Sequence, residues 1–233
     1  MKPRPLSPDE IVRAREGLRP LLPNTPLRRS FALADRGQVF LKLECWQPTG
    51  SFKVRGALHL LASLTPQQRS RGVVAASAGN HALGVAFAVE SLGGEVPATL
   101  FVPEAAPRAK LDKLRSFPVT VRVEGRTYDD ALALATAFAE RTGASYLHAF
   151  DDPRTAAGQG TVGLEILEDL PQVGTILVPV GGGGLLAALA VAVKAVAPQV
   201  RLVAVQPEAS PALRQSLREG RPLLEYPAGP TLA

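Results

Sequence analysis

The chain has 233 residues, 46% of them hydrophobic and 20% charged, which is ordinary globular composition rather than that of a disordered or membrane-embedded protein. A formal charge of +5 invites a nucleic-acid partner. However, the arginines are scattered and no basic run is interleaved with aromatics, so no nucleic acid is expected and a small anionic ligand fits the excess as well. Cys45 is the single cysteine, which excludes an internal disulfide framework and a thiolate metal site.

The first residues, Met1 to Ser7, lack the apolar core of a signal peptide. Ile176 to Val193 carries no charge, but Pro179 and Gly181 to Gly184 interrupt it, so it reads as strand, glycine turn and helix rather than a membrane span. A soluble, cytoplasmic protein is expected, with no membrane partner.

Ser7-Pro8-Asp9-Glu10 predicts a helix start, Ser7 capping and Pro8 in the first position, with the helix running to about Arg19. Phe40 to Glu44 alternates like a strand, and Ser51 is expected to cap a helix through about Leu64. Beyond that, strands and helices alternate. The predicted strands are Val73–Ala76, Ala98–Val102, Val119–Val123, Ser145–His148, Thr175–Val180 and Arg201–Val205. The predicted helices are Asn80–Leu92, one from Pro107, Tyr128–Arg141 closed by Gly143, Thr155–Asp169 and Gly183–Val196. Short apolar strands between helices indicate an open α/β architecture whose parallel sheet is covered on both faces.

Three segments carry chemistry. In Thr49 to Gly56, Lys53 stands in the first turn of a helix, where the positive end of the macrodipole disfavours an ammonium. Arg55 adds to that, and burial would push the same way, toward a neutral amine able to form an imine with an aldehyde. A surface lysine that the helix merely tolerates is an equal alternative for this segment alone. Ser77-Ala78-Gly79-Asn80-His81 opens a helix after an apolar strand, a junction whose free N–H groups bind anions, or where Ser77 or Asn80 simply caps. Gly181-Gly182-Gly183-Gly184 joins a strand to a helix and lets backbone N–H groups approach a guest, usually phosphate. It is neither a P-loop nor a dinucleotide fingerprint, and a purely structural turn is its alternative.

The segments Gln47 to Ala57, Ser77 to His81, Ala157-Gly158-Gln159-Gly160-Thr161 and Val178 to Leu185 resemble in order and spacing the four signature blocks of the serine/threonine dehydratase and serine racemase family. The resemblance covers essentially the whole chain. It implies a tryptophan-synthase-β-like fold with two open parallel-sheet domains. Residues 1–65 and 149–233 would form the large cofactor domain, incomplete at its C-terminus, and residues 66–148 a small inserted α/β domain. It also implies pyridoxal 5'-phosphate, with Lys53 carrying the cofactor as a Schiff base and moving the α-proton. Phe52 would lie beside the ring, Asn80 would bond the ring hydroxyl, and Gly181, Gly182, Gly183 and Gly184 would hold the phosphate. Ser77, Ala78, Gly79, Asn80 and His81 would grip the substrate carboxylate.

Three positions depart from the family. Ala78 stands where racemases carry a proton-donating serine, favouring elimination over racemisation. Gln206 and Ala212 replace the carboxylates of the divalent-cation site, so no metal is expected. The chain stops at Pro230-Thr231-Leu232-Ala233, where relatives continue into a stretch bearing the Ser, Thr or Cys that faces the pyridine nitrogen. A fragment of a longer product, or an incomplete and inactive protein, is therefore expected. The function implied is β-elimination of L-threonine or L-serine to a 2-oxo acid and ammonia by a homo-oligomer, dimer or tetramer. The alternatives are a racemase or β-replacement enzyme, or an inactive cofactor- or phosphate-binding domain.

Overall fold

The computed structural model describes residues 5–77 and 79–223. Ser7 starts helix α1 (Pro8–Leu18) through a reciprocal box: its hydroxyl accepts the Glu10 N–H at 3.3 Å, and the Glu10 carboxylate accepts the Ser7 N–H at 2.8 Å. Two short strands, β1 (Leu27–Arg29) and β2 (Phe40–Lys42), pair antiparallel. The strand expected through Glu44 therefore ends at Lys42, and Glu44–Trp46 turns as a single 3-10 unit.

Helix α2 (Lys53–Ala62) follows, then a short helix α3 (Pro66–Arg71). Strand β3 (Val73–Ala76), helix α4 (Asn80–Ser91), β4 (Ala98–Val102), α5 (Arg108–Arg115), β5 (Thr120–Val123), α6 (Tyr128–Thr142) and β6 (Ser145–Tyr146) form the next stretch. Helix α7 (Pro153–Asp169), β7 (Thr175–Pro179), α8 (Gly184–Val196), β8 (Arg201–Val205) and α9 (Ala212–Glu219) complete it. α7 begins two residues earlier than expected, because the Asp152 carboxylate accepts the Arg154 N–H at 2.7 Å and Pro153 suits the first position.

Strands β5-β4-β3-β6 make one parallel sheet in that order, and β7-β8 a second parallel pair. All four residues of β3 are buried, which is why this strand reads as an unbroken apolar run. From β3 the chain moves outward to β4 and β5, then returns to the other side of β3 with β6. The carboxyl ends of β3 and β6 thus flank the point where the winding reverses, the usual place for a ligand in an open α/β sheet.

One core cluster runs through α2, α4, β3 and β4, and a second joins α7, β7 and α8. α2 and α7 meet backbone to backbone. A Cβ on Gly158 would stand 2.6 Å from the Arg55 carbonyl oxygen and 2.7 Å from the Gly56 Cα, and one on Gly56 would strike Gln159 and Thr155. Gly160, two residues along α7, makes room for Ile11 of α1, with its Cδ1 2.8 Å from a Cβ built there. The Ala-Gly-Gln-Gly-Thr block is therefore a seat for two helices. Among the described residues, no helix is long and apolar enough to cross a membrane, and no group of three or more His, Cys, Asp or Glu could hold a metal.

Candidate active site

Lys53 is the first residue of α2; its N–H bonds the Ser51 hydroxyl at 3.3 Å, so Ser51 supports the helix start although Phe52 occupies the cap position. The Lys53 side chain is half-buried, and its amine donates to the Ala149 carbonyl at 2.9 Å. The rings of Phe52 and Phe150 lie 5.4 Å and 5.9 Å from the nitrogen. Burial lowers its pKa below the ordinary lysine range.

The contribution expected from Arg55 does not exist. The Arg55 guanidinium turns away and bonds the Glu44 carboxylate through Nε and Nη2, both at 2.8 Å, and Glu165 through Nη1 and Nη2. Burial disfavours its charge, but these two carboxylates more than offset that and raise its pKa. Lys42 joins the same cluster, 2.7 Å from Glu165. This network locks the first turn of α2 to α7 and to the end of β2.

The segment after β6 forms the floor beneath Lys53. The His81 Nε2 meets the Leu147 carbonyl at 2.8 Å, the Thr155 hydroxyl donates to the His148 carbonyl at 3.0 Å, and the His148 Nδ1 accepts the Asp151 N–H at 2.8 Å. His81 is buried, its Nδ1 has no hydrogen-bond partner among the described residues, and burial drives its pKa down to about 4. The neutral imidazole pins the start of α4 to the segment after β6 through Nε2 and Leu147.

The β3–α4 junction carries no side-chain cap: Gly79 holds the cap position. The Ser77 hydroxyl accepts the Gly79 N–H at 3.1 Å, and Asn80 is exposed at the first helical position. Neither Ser77 nor Asn80 caps α4. Ala78 lies outside the described residues. α4 packs directly on the lysine: a Cβ on Gly84 would lie 3.1 Å from the Lys53 carbonyl oxygen.

Phe150 connects Lys53 to the glycine run. Cβ atoms on Gly182 and Gly184 would both stand 2.8 Å from Phe150 atoms, while Gly181 and Gly183 face open space. Gly183 has φ +84 and caps α8 without any side-chain hydrogen bond, so among the described residues the N–H groups at this helix start have no side-chain cap. Gln206 is used structurally, with its Oε1 accepting the Arg214 N–H at 3.1 Å.

Thus α4, whose start carries Ser77, Gly79, Asn80 and His81, packs through Gly84 on the backbone of Lys53, and Phe150 lies between the Lys53 amine and Gly182 and Gly184. Ala149, Phe150 and His148 belong to the same place, but sequence reasoning passed over them.

A family model described as pyridoxal-phosphate dependent enzyme matches residues 18–233. The L-threonine ammonia-lyase of Thermotoga maritima is 46% identical over 215 residues, covering 91% of this chain and 53% of the relative. The catabolic L-threonine dehydratase of Staphylococcus aureus is 40% identical over 227 residues, covering 96% of this chain and 65% of the relative. The chain therefore spans roughly half to two thirds of these relatives' length. Among solved structures, maize serine racemase superposes with a TM-score of 0.92 at 32% identity, covering 97% of this chain and 69% of that one. The processed form of threonine deaminase isoform 2 from Solanum lycopersicum superposes with 0.86 at 34% identity, covering 94% and 62%. On the match over residues 18–233, and on the parallel-sheet architecture that these structures share with it, the chain belongs to the pyridoxal-phosphate dependent enzymes, within the serine/threonine dehydratase and serine racemase group and its tryptophan-synthase-β-like fold.

Proposed function

We propose that this chain carries the reaction centre of an L-threonine/L-serine ammonia-lyase, converting the amino acid to a 2-oxo acid and ammonia. The observation that carries this reading is a lysine amine, made less basic by burial, held on Ala149 and linked by Phe150 to a glycine loop with an open side. The names of relatives 40–46% identical support the same chemistry.

The residues fit the cofactor. Gly181 and Gly183 leave space where any side chain would intrude, at the uncapped start of a 13-residue helix, which suits a phosphate. When bound, pyridoxal 5'-phosphate supplies an aldehyde to an amine and a ring that accepts the electron pair left on the substrate α-carbon.

Lys53 is read as the amine that holds the cofactor and then takes the α-proton onto Nζ. As the α C–H bond breaks, the electron pair moves to form the α–β double bond, and the β C–O bond breaks with its pair leaving on the hydroxyl oxygen, which takes the proton from Nζ and departs as water. Addition of water then releases 2-oxo acid and ammonia. Phe52 would border the ring, Asn80 would bond its hydroxyl, and Ser77 to His81 would hold the carboxylate. Residues 66–148 are read as a small inserted domain on a large one made of 1–65 and 149–233, in keeping with their separate sheets. A cytoplasmic homo-oligomer is part of the reading.

Borohydride reduction of the cofactor-loaded chain is expected to fix the cofactor on Lys53, and Lys53→Ala to abolish both attachment and 2-oxo acid release. An adduct mapped to another lysine would overturn the assignment. Chiral chromatography of the remaining serine is expected to show little D-isomer, since Ala78 has no proton to give.

A further inference from the structure

Lys110 comes from α5, yet its side chain ends at the β3–α4 junction. A Cβ built on Gly79 would stand 2.8 Å from the Lys110 Nζ and 3.6 Å from its Cδ. Its backbone is anchored by an N–H bond to the Pro107 carbonyl at 2.9 Å. Among the described residues the ammonium has no carboxylate partner, and the one acid on its own helix, Asp112, is taken by Arg115 at 3.2 Å.

Positive potential is thereby concentrated at one spot. Lys110 sits on Gly79, Gly79 heads a 12-residue helix with no side-chain cap, and that helix packs against the backbone of Lys53. A cation at a helix N-terminus is on the unfavourable end of the macrodipole, and a folded chain gains nothing by placing one there unless an anion joins them. The Ser77 side chain points to the same place. It is 9% exposed and accepts the Gly79 N–H, while its own O–H has no acceptor among the described residues.

We propose that Lys110 is a further substrate-binding residue, the cation that pairs with the α-carboxylate of the amino-acid substrate while the Ser77 hydroxyl donates to the same group. This rests on the lyase reading above. It makes a free α-carboxylate, rather than the side chain, the feature that α5 selects.

The test is an equilibrium one. The cofactor-loaded chain is titrated with L-threonine and with L-threoninamide, and the shift of its visible absorption band is followed, for wild type, Lys110→Met and Lys110→Arg. Lys110→Met keeps the length of the stem and removes the charge; it is expected to weaken L-threonine about tenfold or more, the size of one charge-assisted contact. Binding of L-threoninamide is expected to match wild type, and Lys110→Arg to restore most of the loss. Unchanged L-threonine binding in Lys110→Met overturns the proposal, and so does an equal loss for both ligands, which would mark a merely structural lysine. A wild type with no band, or no response to L-threonine, instead overturns the lyase reading, and this inference falls with it.

Discussion

His81 sits beneath the start of α4 with Nε2 on the Leu147 carbonyl, and burial holds its pKa at about 4 against an ordinary 6.5. Between about pH 4 and 6.5 it is neutral in the folded chain and takes up a proton on unfolding. The stability it contributes is thus complete above about pH 6.5 and is lost as the pH falls toward 4, in all about 3 kcal/mol for a shift of this size. His81→Gln keeps an N–H donor for Leu147 without the titration. A plot of Tm against pH is expected to flatten between 6.5 and 4 in this variant, only in part because His59 and His148 are shifted in the same direction. A profile identical to wild type would place the acid sensitivity elsewhere. At this scale, Lys53 and the glycine run were legible because their chemistry is local: a lysine in a first helical turn, glycines between strand and helix. Arg55 misled, since two residues along a helix is a rotation of about 200°, which turns its side chain to Glu165 instead of toward Lys53. Nothing local marks the carbonyl of Ala149 or the reach of Lys110.

Where α2 crosses α7, the contact is between backbones, and neither helix can yield by rotating a side chain. Gly158→Ala would push a methyl group to 2.6 Å from the Arg55 carbonyl oxygen, and is expected to cost about 3 kcal/mol or more as overpacking. It would also displace the turn that carries Lys53. Gly17→Ala is the control: this glycine lies exposed in α1 with nothing within 4 Å of a new Cβ, so the change is expected to stabilise by about 0.5–1 kcal/mol through helix propensity. Urea denaturation of the two variants checks both signs. Elements with strong local signals were readable, such as β3, β4 and the capped α1. α3 was missed because Pro66–Arg71 has no apolar residue, although Thr65 and Gln68 form a capping box. β1 was missed because Leu-Arg-Arg alternates too briefly to show a strand, and β6 stops two residues short because the next segment turns to support Lys53.

The second sheet raises a question at the scale of the molecule. Ile176 and Val178 of β7 face the core with α8, but Leu177 is 67% exposed on the other face, beside its partner Val203 and near Val205. Parallel sheets are ordinarily covered on both faces, and an open apolar face favours association. Leu177→Thr keeps strand propensity and is expected to reduce light scattering on heating while leaving the absorption band of the loaded chain unchanged. Equal scattering in both proteins would show that this face does not drive association. The parallel α/β class was legible from the alternation of strands and helices. The side-by-side placement of β3 and β6 was not, because strand order depends on which crossovers pack and leaves no local trace.

The ties that surround Lys53 are long in sequence: its amine reaches Ala149 across 96 positions, and Arg55 reaches Glu165 across 110. During synthesis the lysine therefore leaves the ribosome well before its pocket can exist, and the strands β3 to β6, closing shorter loops, have the shorter search. Until α7 has emerged and docked, Lys53 is an ordinary solvated, protonated amine, a poor nucleophile toward cellular aldehydes. The lowered basicity of Lys53 thus depends on a carbonyl made about a hundred residues after it, and an unfinished chain holds the ordinary amine instead.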